Sequence, residues 1–217
     1  MNKNKAPLFY KFASEGYMTT FAAEAIVFRD YIARGEGQKA GDFYQQLIVG
    51  DFSGIEFPVI YEQIRDEYGK KRMRDILDMR YPNLYIISDR MKHLLEDNKI
   101  TGWCSYPILL YDKKGNEISG YNGFSYTGRA KEVADLSEHT HTIRYDYGNS
   151  DITYGPSFSD ETWDGSDIFM IEGVWAVIVT AKVMKLLKDN KITACKFEPL
   201  ADGIPENYIL HPVFAKK

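Results

Sequence analysis

One segment of the sequence occurs twice, 92 residues apart, and this repeat constrains the fold more than any other feature. Residues 88–108 (SDRMKHLLEDNKITGWCSYPI) align without gaps with residues 180–200 (TAKVMKLLKDNKITACKFEPL), with eight identities in twenty-one positions, five of them consecutive in DNKIT. Duplication explains such a match better than chance does. We therefore expect two similar units in this chain.

Each copy has the pattern of a strand, a short helix and a second strand. Ser88 and Thr180 offer a capping hydroxyl at the expected helix starts, and Asn98 and Asn190 stand where we expect a left-handed residue to end each helix. Between them, apolar residues recur at helical spacing, namely Met91, Leu94, Leu95, Val183, Leu186 and Leu187. The sequence predicts an α+β fold of two similar strand-helix-strand halves with antiparallel β-hairpins, packed as one body.

The part of the chain before the repeat has weaker patterns. We predict an N-terminal α/β region over residues 1–80 and the duplicated region over residues 81–217, either separate or as one continuous domain. Residues 20–31 fit a helix or a strand. Residues 35–42 predict a loop, followed by ten residues with the pattern of a strand pair or one bent strand. Apolar spacing predicts helix over residues 58–80, with a break at Gly69.

Composition excludes several classes of protein. A net charge of −4 lacks the positive field from which nucleic-acid binding derives its affinity. Cys104 and Cys195 are too few for a disulfide framework or a cysteine zinc site, so we expect free thiols in a reducing compartment. The first residues lack an export signal, and the longest strongly apolar run, residues 174–179, is too short to cross a membrane. We expect a cytoplasmic protein that binds neither nucleic acid nor membranes.

Negative charge is concentrated in one stretch. Residues 132–172 contain ten acidic residues and one basic residue, Arg144. Aromatic residues stand among these charges, and such residues often dominate protein interfaces. The alternative is a solvated acidic loop with a few core aromatics. We predict a partner-binding surface that consists of Asp160, Glu161, Trp163, Asp164 and Asp167.

A metal site is the alternative source of function. Residues two apart on a strand share a face, so His139 and His141 could chelate one ion. The alternative function is therefore a metal-assisted hydrolase that uses His139, His141 and the carboxylate of Asp146. A third ligand at zinc-site spacing is missing, and the chain has no nucleophile elbow, phosphate loop or dinucleotide motif. We therefore expect a non-catalytic protein without a metal or cofactor.

Two segments resemble the immunity proteins of bacterial polymorphic toxin systems. The first is YPNLYIISDRMKHLLEDNKITGWCSYPILLYDKKGNEISGYNGFSYTGR, and the second contains WDGSDIF and VIVTAKVMKLLKDNKITACKFEPL. They are similar to duplicated α+β families, mostly domains of unknown function, which share a serine-capped short helix, ITG and an aromatic-proline strand. The second copy departs from this pattern at Ala194, where the first has Gly102.

That resemblance implies a cytoplasmic protein that binds and blocks a cognate protein toxin, with no catalytic residues. Toxins that cut nucleic acid are often basic where they meet phosphate. An acidic, aromatic surface would suit such a toxin through electrostatic steering and buried anchors.

Overall fold

The molecule has an α+β fold, as the sequence predicts. The computed structural model describes residues 9–14, 21–64, 72–79, 81, 83–131, 140–145, 148–153, 158, 162–172 and 176–200. For residues 140–145 and 148–153 it describes the backbone alone. The finer predictions, two similar halves and antiparallel hairpins, stay predictions.

Four helices and fourteen strands make up the described part of the chain. The helices are α1 (Ile26–Ala33), α2 (Gly37–Val49), α3 (Asp89–Asp97) and α4 (Ala181–Asp189). The strands are β1 (Phe9–Ser14), β2 (Ala22–Ala25), β3 (Val59–Gln63), β4 (Ile76–Met79), β5 (Tyr85–Ser88), β6 (Trp103–Tyr106), β7 (Ile108–Tyr111), β8 (Tyr121–Tyr126), β9 (Gly128–Lys131), β10 (Thr140–Tyr145), β11 (Gly148–Thr153), β12 (Ile168–Glu172), β13 (Val177–Thr180) and β14 (Cys195–Pro199).

Seven strands form a mixed sheet in the order β6-β8-β5-β4-β2-β3-β7. Only Pro107 separates β6 from β7 along the chain, yet these strands are the two edges of the sheet. The sheet must therefore curl until its edges approach each other, which makes it nearly a barrel. The largest fully buried side chains among the described residues include Tyr61, Tyr106 and Tyr126 of this sheet and Tyr44 of α2.

A pair of tyrosine hydroxyls links two strands inside this curled sheet. The hydroxyls of Tyr61 on β3 and Tyr106 on β6 are hydrogen-bonded at 2.8 Å. Burial raises the pKa of both phenols, so both stay protonated. Gly123 on β8 leaves room for the Tyr106 ring, because an added Cβ would lie 2.0 Å from that ring.

Replacing Tyr61 with phenylalanine should lower the free energy of unfolding by about 1 to 2 kcal/mol, because the buried Tyr106 hydroxyl would lose its partner. Urea denaturation followed by circular dichroism measures this change. The half-buried Tyr111 provides the control, since its replacement by phenylalanine should cost less than about 0.5 kcal/mol. Equal costs for the two variants would contradict the role of the hydroxyl pair.

A five-stranded sheet has the order β14-β1-β13-β12-β9. In this sheet β1 lies between β14 and β13, just as β8 lies between β6 and β5 in the larger sheet. In β1, Phe12 lies opposite Val177 and Phe197. In β8, Phe124 lies opposite Tyr85 and Ser105. Tyr85 is 92 residues before Val177, and Ser105 is 92 residues before Phe197. The order β4, β5, α3, β6 recurs as β12, β13, α4, β14. Strands β4 and β5, which flank the predicted boundary at residue 80, pair with each other.

Two predictions for the N-terminal region are wrong. The loop predicted over residues 35–42 and the strand predicted after it are mostly replaced by α2. Residues 58–80, predicted as helix, contain β3 and β4 instead. Both predictions depend on short apolar runs whose spacing fits a helix and a strand equally well. Phe43 and Leu47 bury one face of α2, whereas Val59 and its neighbours alternate between buried and exposed along β3.

The ends of the two equivalent helices differ from the prediction by one residue. The left-handed residues are Lys99, with φ 51°, and Lys191, with φ 52°. Asn98 and Asn190 precede them, and each side-chain amide donates to a carbonyl of the last helical turn at 2.9 Å. The backbone N–H groups of Asn98 and Asn190 donate to the same carbonyls at 3.3 and 3.2 Å. The asparagines therefore cap the helices with both side chain and backbone, and the left-handed conformation belongs to the lysines that follow.

Candidate functional site

The predicted acidic surface lies partly on the loop of residues 162–167, directly before β12. Trp163 is half-buried and packs edge-on against Phe9, with ring centroids 5.2 Å apart, and against Phe169 at 5.7 Å. Its indole nitrogen donates to the Ser166 carbonyl at 3.0 Å. Trp163 is thus an anchor of the loop in a small aromatic cluster.

Asp164 is exposed and fixes the backbone of the same loop. Its carboxylate accepts hydrogen bonds from the backbone N–H of Arg129 at 2.7 Å and of Ser166 at 2.9 Å. Partial burial acts to raise the pKa of Asp164, but the hydrogen bonds from Ser166 and Arg129 outweigh it and lower the pKa overall. Asp164 therefore presents a negative charge at a fixed position at neutral pH.

Asp167 joins the loop to the first copy of the repeat. Its carboxylate accepts from the backbone N–H and the hydroxyl of Thr101, at 3.1 and 3.3 Å, and from the Lys182 ammonium at 3.0 Å. Its own N–H donates to the Thr101 hydroxyl at 3.0 Å. Thr180, the expected helix cap, donates its hydroxyl to Asp167 at 3.4 Å and makes no cap hydrogen bond.

The same arrangement occurs 92 residues earlier, at Asp75. The backbone N–H and the hydroxyl of Thr193 both donate to the Asp75 carboxylate at 2.9 Å. Ser88 donates its hydroxyl at 2.8 Å and also caps α3, and Arg90 donates at 3.1 Å. Each copy of the repeat therefore binds, through a threonine, an aspartate that lies 13 residues before the other copy. We call the Asp75–Thr193 and Asp167–Thr101 contacts the two clasps.

Sequence reasoning missed the clasps, although a signal for them exists. Asp-Ile occurs directly at the start of β4 and of β12, as Asp75-Ile76 and Asp167-Ile168, at the offset of the repeat. This dipeptide lies 13 residues before each copy of the repeat, so the correspondence between the two segments continues toward the N-terminus.

Most of the other predicted residues lie outside the part of the chain that the structure describes. Asp160, Glu161, His139 and Asp146 lie outside the described residues. His141 lies on β10, where its backbone pairs with that of Ile152 on β11. Among the described residues, no three histidine, cysteine or acidic side chains form a group that could hold a metal ion.

The cysteines have the environment of packed thiols. Cys104 and Cys195 are both half-buried and free. Burial raises the pKa of the Cys104 thiol, although a hydrogen bond with Ser125 and the charge of Arg129 act in the opposite direction. Because the thiolate is the nucleophilic form, this shift disfavours reactivity at Cys104.

No protein-family model matches the chain, and no curated protein matches it at a significant level. The resemblance to immunity proteins therefore depends on the segments quoted above. Within the described ranges, no helix is long and apolar enough to cross a membrane.

Proposed function

We propose that the protein is an immunity protein, which binds a cognate bacterial toxin in the cytoplasm and neutralises it without catalysis. The observation that supports this function best is the loop of residues 162–167. Hydrogen bonds and ring contacts hold that loop in one conformation, while Asp164 faces solvent. A surface that is ordered before binding loses less conformational entropy when a partner docks.

In this proposal the five predicted residues have two kinds of role. Asp160, Glu161 and Asp164 supply negative charge that attracts a basic toxin. Trp163 and Asp167 hold the loop in place through the aromatic cluster and the clasp with Thr101. Several like charges that are close together steer a charged partner over a Debye length of about 8 to 10 Å, which raises the rate of association.

Reversing three charges tests the proposal. The toxin would be taken from the gene beside the one that encodes this chain, since an immunity gene is expected next to its toxin gene. Replacing Asp160, Glu161 and Asp164 together by lysine should lower the association rate at low salt by about tenfold or more, and by less at high salt. Stopped-flow fluorescence or surface plasmon resonance measures both rates.

Two further variants separate binding from folding. Because Asp164 also fixes the loop, a second variant reverses Asp160 and Glu161 alone and should still slow association. A matched control reverses Glu96, Asp97 and Glu117, which are exposed carboxylates outside the acidic stretch. The control should retain most of the association rate. An unchanged rate in both test variants, with an unchanged melting temperature, would overturn the assignment of this surface.

We also propose that the molecule consists of two related halves that exchange a strand. Strand β8 lies between β5 and β6, and β1 lies between β13 and β14, with partners that differ by 92 residues. The two clasps are reciprocal in the same way. A scaffold that is interlocked like this would hold the acidic loop rigid. The comparison of Asp75 and Asp167 variants in the Discussion tests this proposal.

A further inference from the structure

An apolar groove opens between α1, the loop that follows α2, and β3. It encloses a cavity of about 380 Å³. Its walls include Ile26, Val27, Tyr31, Ile55 and Ile60. Clefts of a few hundred Å³ that are lined mostly by apolar side chains and contain a few polar groups are typical of ligand-binding sites.

Helix α1 leaves apolar side chains without cover beside this groove. None of its residues is buried, although its sequence is IVFRDYIA. Val27 is 40% exposed, and on the opposite wall Ile60 is 39% exposed. Ile32, which is on α1 but outside the groove lining, is 51% exposed. Large exposed apolar side chains that cluster around a concave surface indicate a site of interaction.

The charges around the groove determine what kind of partner fits. Residues 24–62 contain seven carboxylates and three cations. All three cations are ion-paired within this segment, in the pairs Arg29–Glu62, Arg34–Glu36 and Lys39–Glu36.

Two carboxylates of the elements that form the groove are left for a partner. Glu56 lines the groove, and Asp30 is exposed on α1. Neither residue takes part in an ion pair with another described residue. Glu56 therefore places a negative charge among the apolar side chains of the groove, and Asp30 adds a second on the helix that forms one wall.

We propose that this groove binds a cationic amphipathic segment of a partner protein. Large aliphatic side chains of the segment enter between Val27 and Ile60, and its lysine or arginine residues meet Glu56 and Asp30. An amphipathic helix in an apolar groove is a common way to combine apolar anchors with a charged rim. The groove uses none of the residues assigned to the acidic loop, so this binding is separate from the proposed immunity function.

A pair of peptides with opposite charge tests the chemistry of the partner. The probe is an 18-residue peptide of leucine and lysine with one apolar helical face, and its counterpart has glutamate at every lysine position. Titration of the full chain by calorimetry should give one site for the leucine–lysine peptide, with an affinity at least tenfold higher than for the leucine–glutamate peptide. Equal affinities would overturn the proposed charge preference.

Variants of the groove test the location. Replacing Ile60 with serine should weaken binding of the leucine–lysine peptide at least tenfold, and replacing Glu56 with lysine should weaken it severalfold. The matched controls are Met73→Ser, at a residue 37% exposed and outside the groove lining, and Glu117→Lys, at an exposed carboxylate outside it. Both controls should leave the affinity unchanged. Comparable losses in the control and groove variants would overturn the location.

A second copy of this chain is the competing occupant of the groove. Sedimentation equilibrium distinguishes a second copy from a different partner protein, because the proposal predicts that the chain alone is a monomer at micromolar concentration. A dimer that the Ile60→Ser variant dissociates would assign the groove to self-association and overturn the proposal. Since Ile60 is partly exposed, the Ile60→Ser variant should have the same melting temperature as the unchanged chain. An unchanged melting temperature would show that any loss of binding is local to the groove.

Discussion

Replacing Gly102 with alanine should lower the free energy of unfolding by roughly 3 to 5 kcal/mol. Gly102 has a φ of 84°, in the left-handed region that L-residues with a side chain rarely adopt. An added Cβ would also lie 1.9 Å from the carbonyl oxygen of Ile168. The backbone cannot easily move away, because the Gly102 carbonyl accepts hydrogen bonds from Thr127 and Gly128 at 2.9 and 3.0 Å. Urea denaturation of the purified variant measures the loss.

The equivalent residue of the second copy provides a matched control. Ala194 has a φ of 65°, so the left-handed turn is present although this copy has alanine in place of glycine. Replacing Ala194 with glycine relieves backbone strain but removes a buried methyl group and adds chain freedom to the unfolded state. The stability should therefore change by no more than about 1 kcal/mol. A loss below about 1 kcal/mol in the Gly102→Ala variant would contradict the close approach of Gly102 to Ile168.

Local patterns predicted the helices of the repeat well, because the relevant contacts lie within a few residues. The apolar spacing in each copy corresponds to α3 and α4, and Ser88 caps α3 as expected. Sequence alone could not predict that β1 would insert between β13 and β14, since those strands are more than 160 residues away from it. Long-range pairing of this kind depends on the shape of the whole core, which no short window of sequence contains.

The candidate site shows the same limit. Composition drew attention to Trp163, Asp164 and Asp167 because they are acidic or aromatic residues in a charged stretch. Their hydrogen-bond partners come from distant parts of the chain, such as Thr101 for Asp167 and the backbone of Arg129 for Asp164. These contacts show that Asp164 both presents a charge and fixes the loop, whereas Trp163 and Asp167 hold the loop in place. The type of residue alone does not reveal this difference.

Replacing Asp75 with alanine should lower the free energy of unfolding by about 3 to 5 kcal/mol, because the side chain is nearly buried and accepts four hydrogen bonds. Its loss leaves the N–H and hydroxyl of Thr193, the hydroxyl of Ser88 and the guanidinium of Arg90 without this acceptor. Chemical denaturation measures the change. In a double-mutant cycle with Thr193→Val, the two changes should be non-additive by at least about 1 kcal/mol, since they remove the same clasp.

The same change at Asp167 tests whether the two halves are equivalent. Asp167 makes the corresponding contacts with Thr101, Thr180 and Lys182, but its side chain is 15% exposed compared with 9% for Asp75. Asp167→Ala should therefore cost less, about 1 to 3 kcal/mol, because water can partly satisfy the donors that are left. Additive losses in the Asp75→Ala, Asp167→Ala double variant would indicate that each clasp acts independently. A stability loss at only one of the two aspartates would contradict the proposal that related halves hold each other through reciprocal contacts.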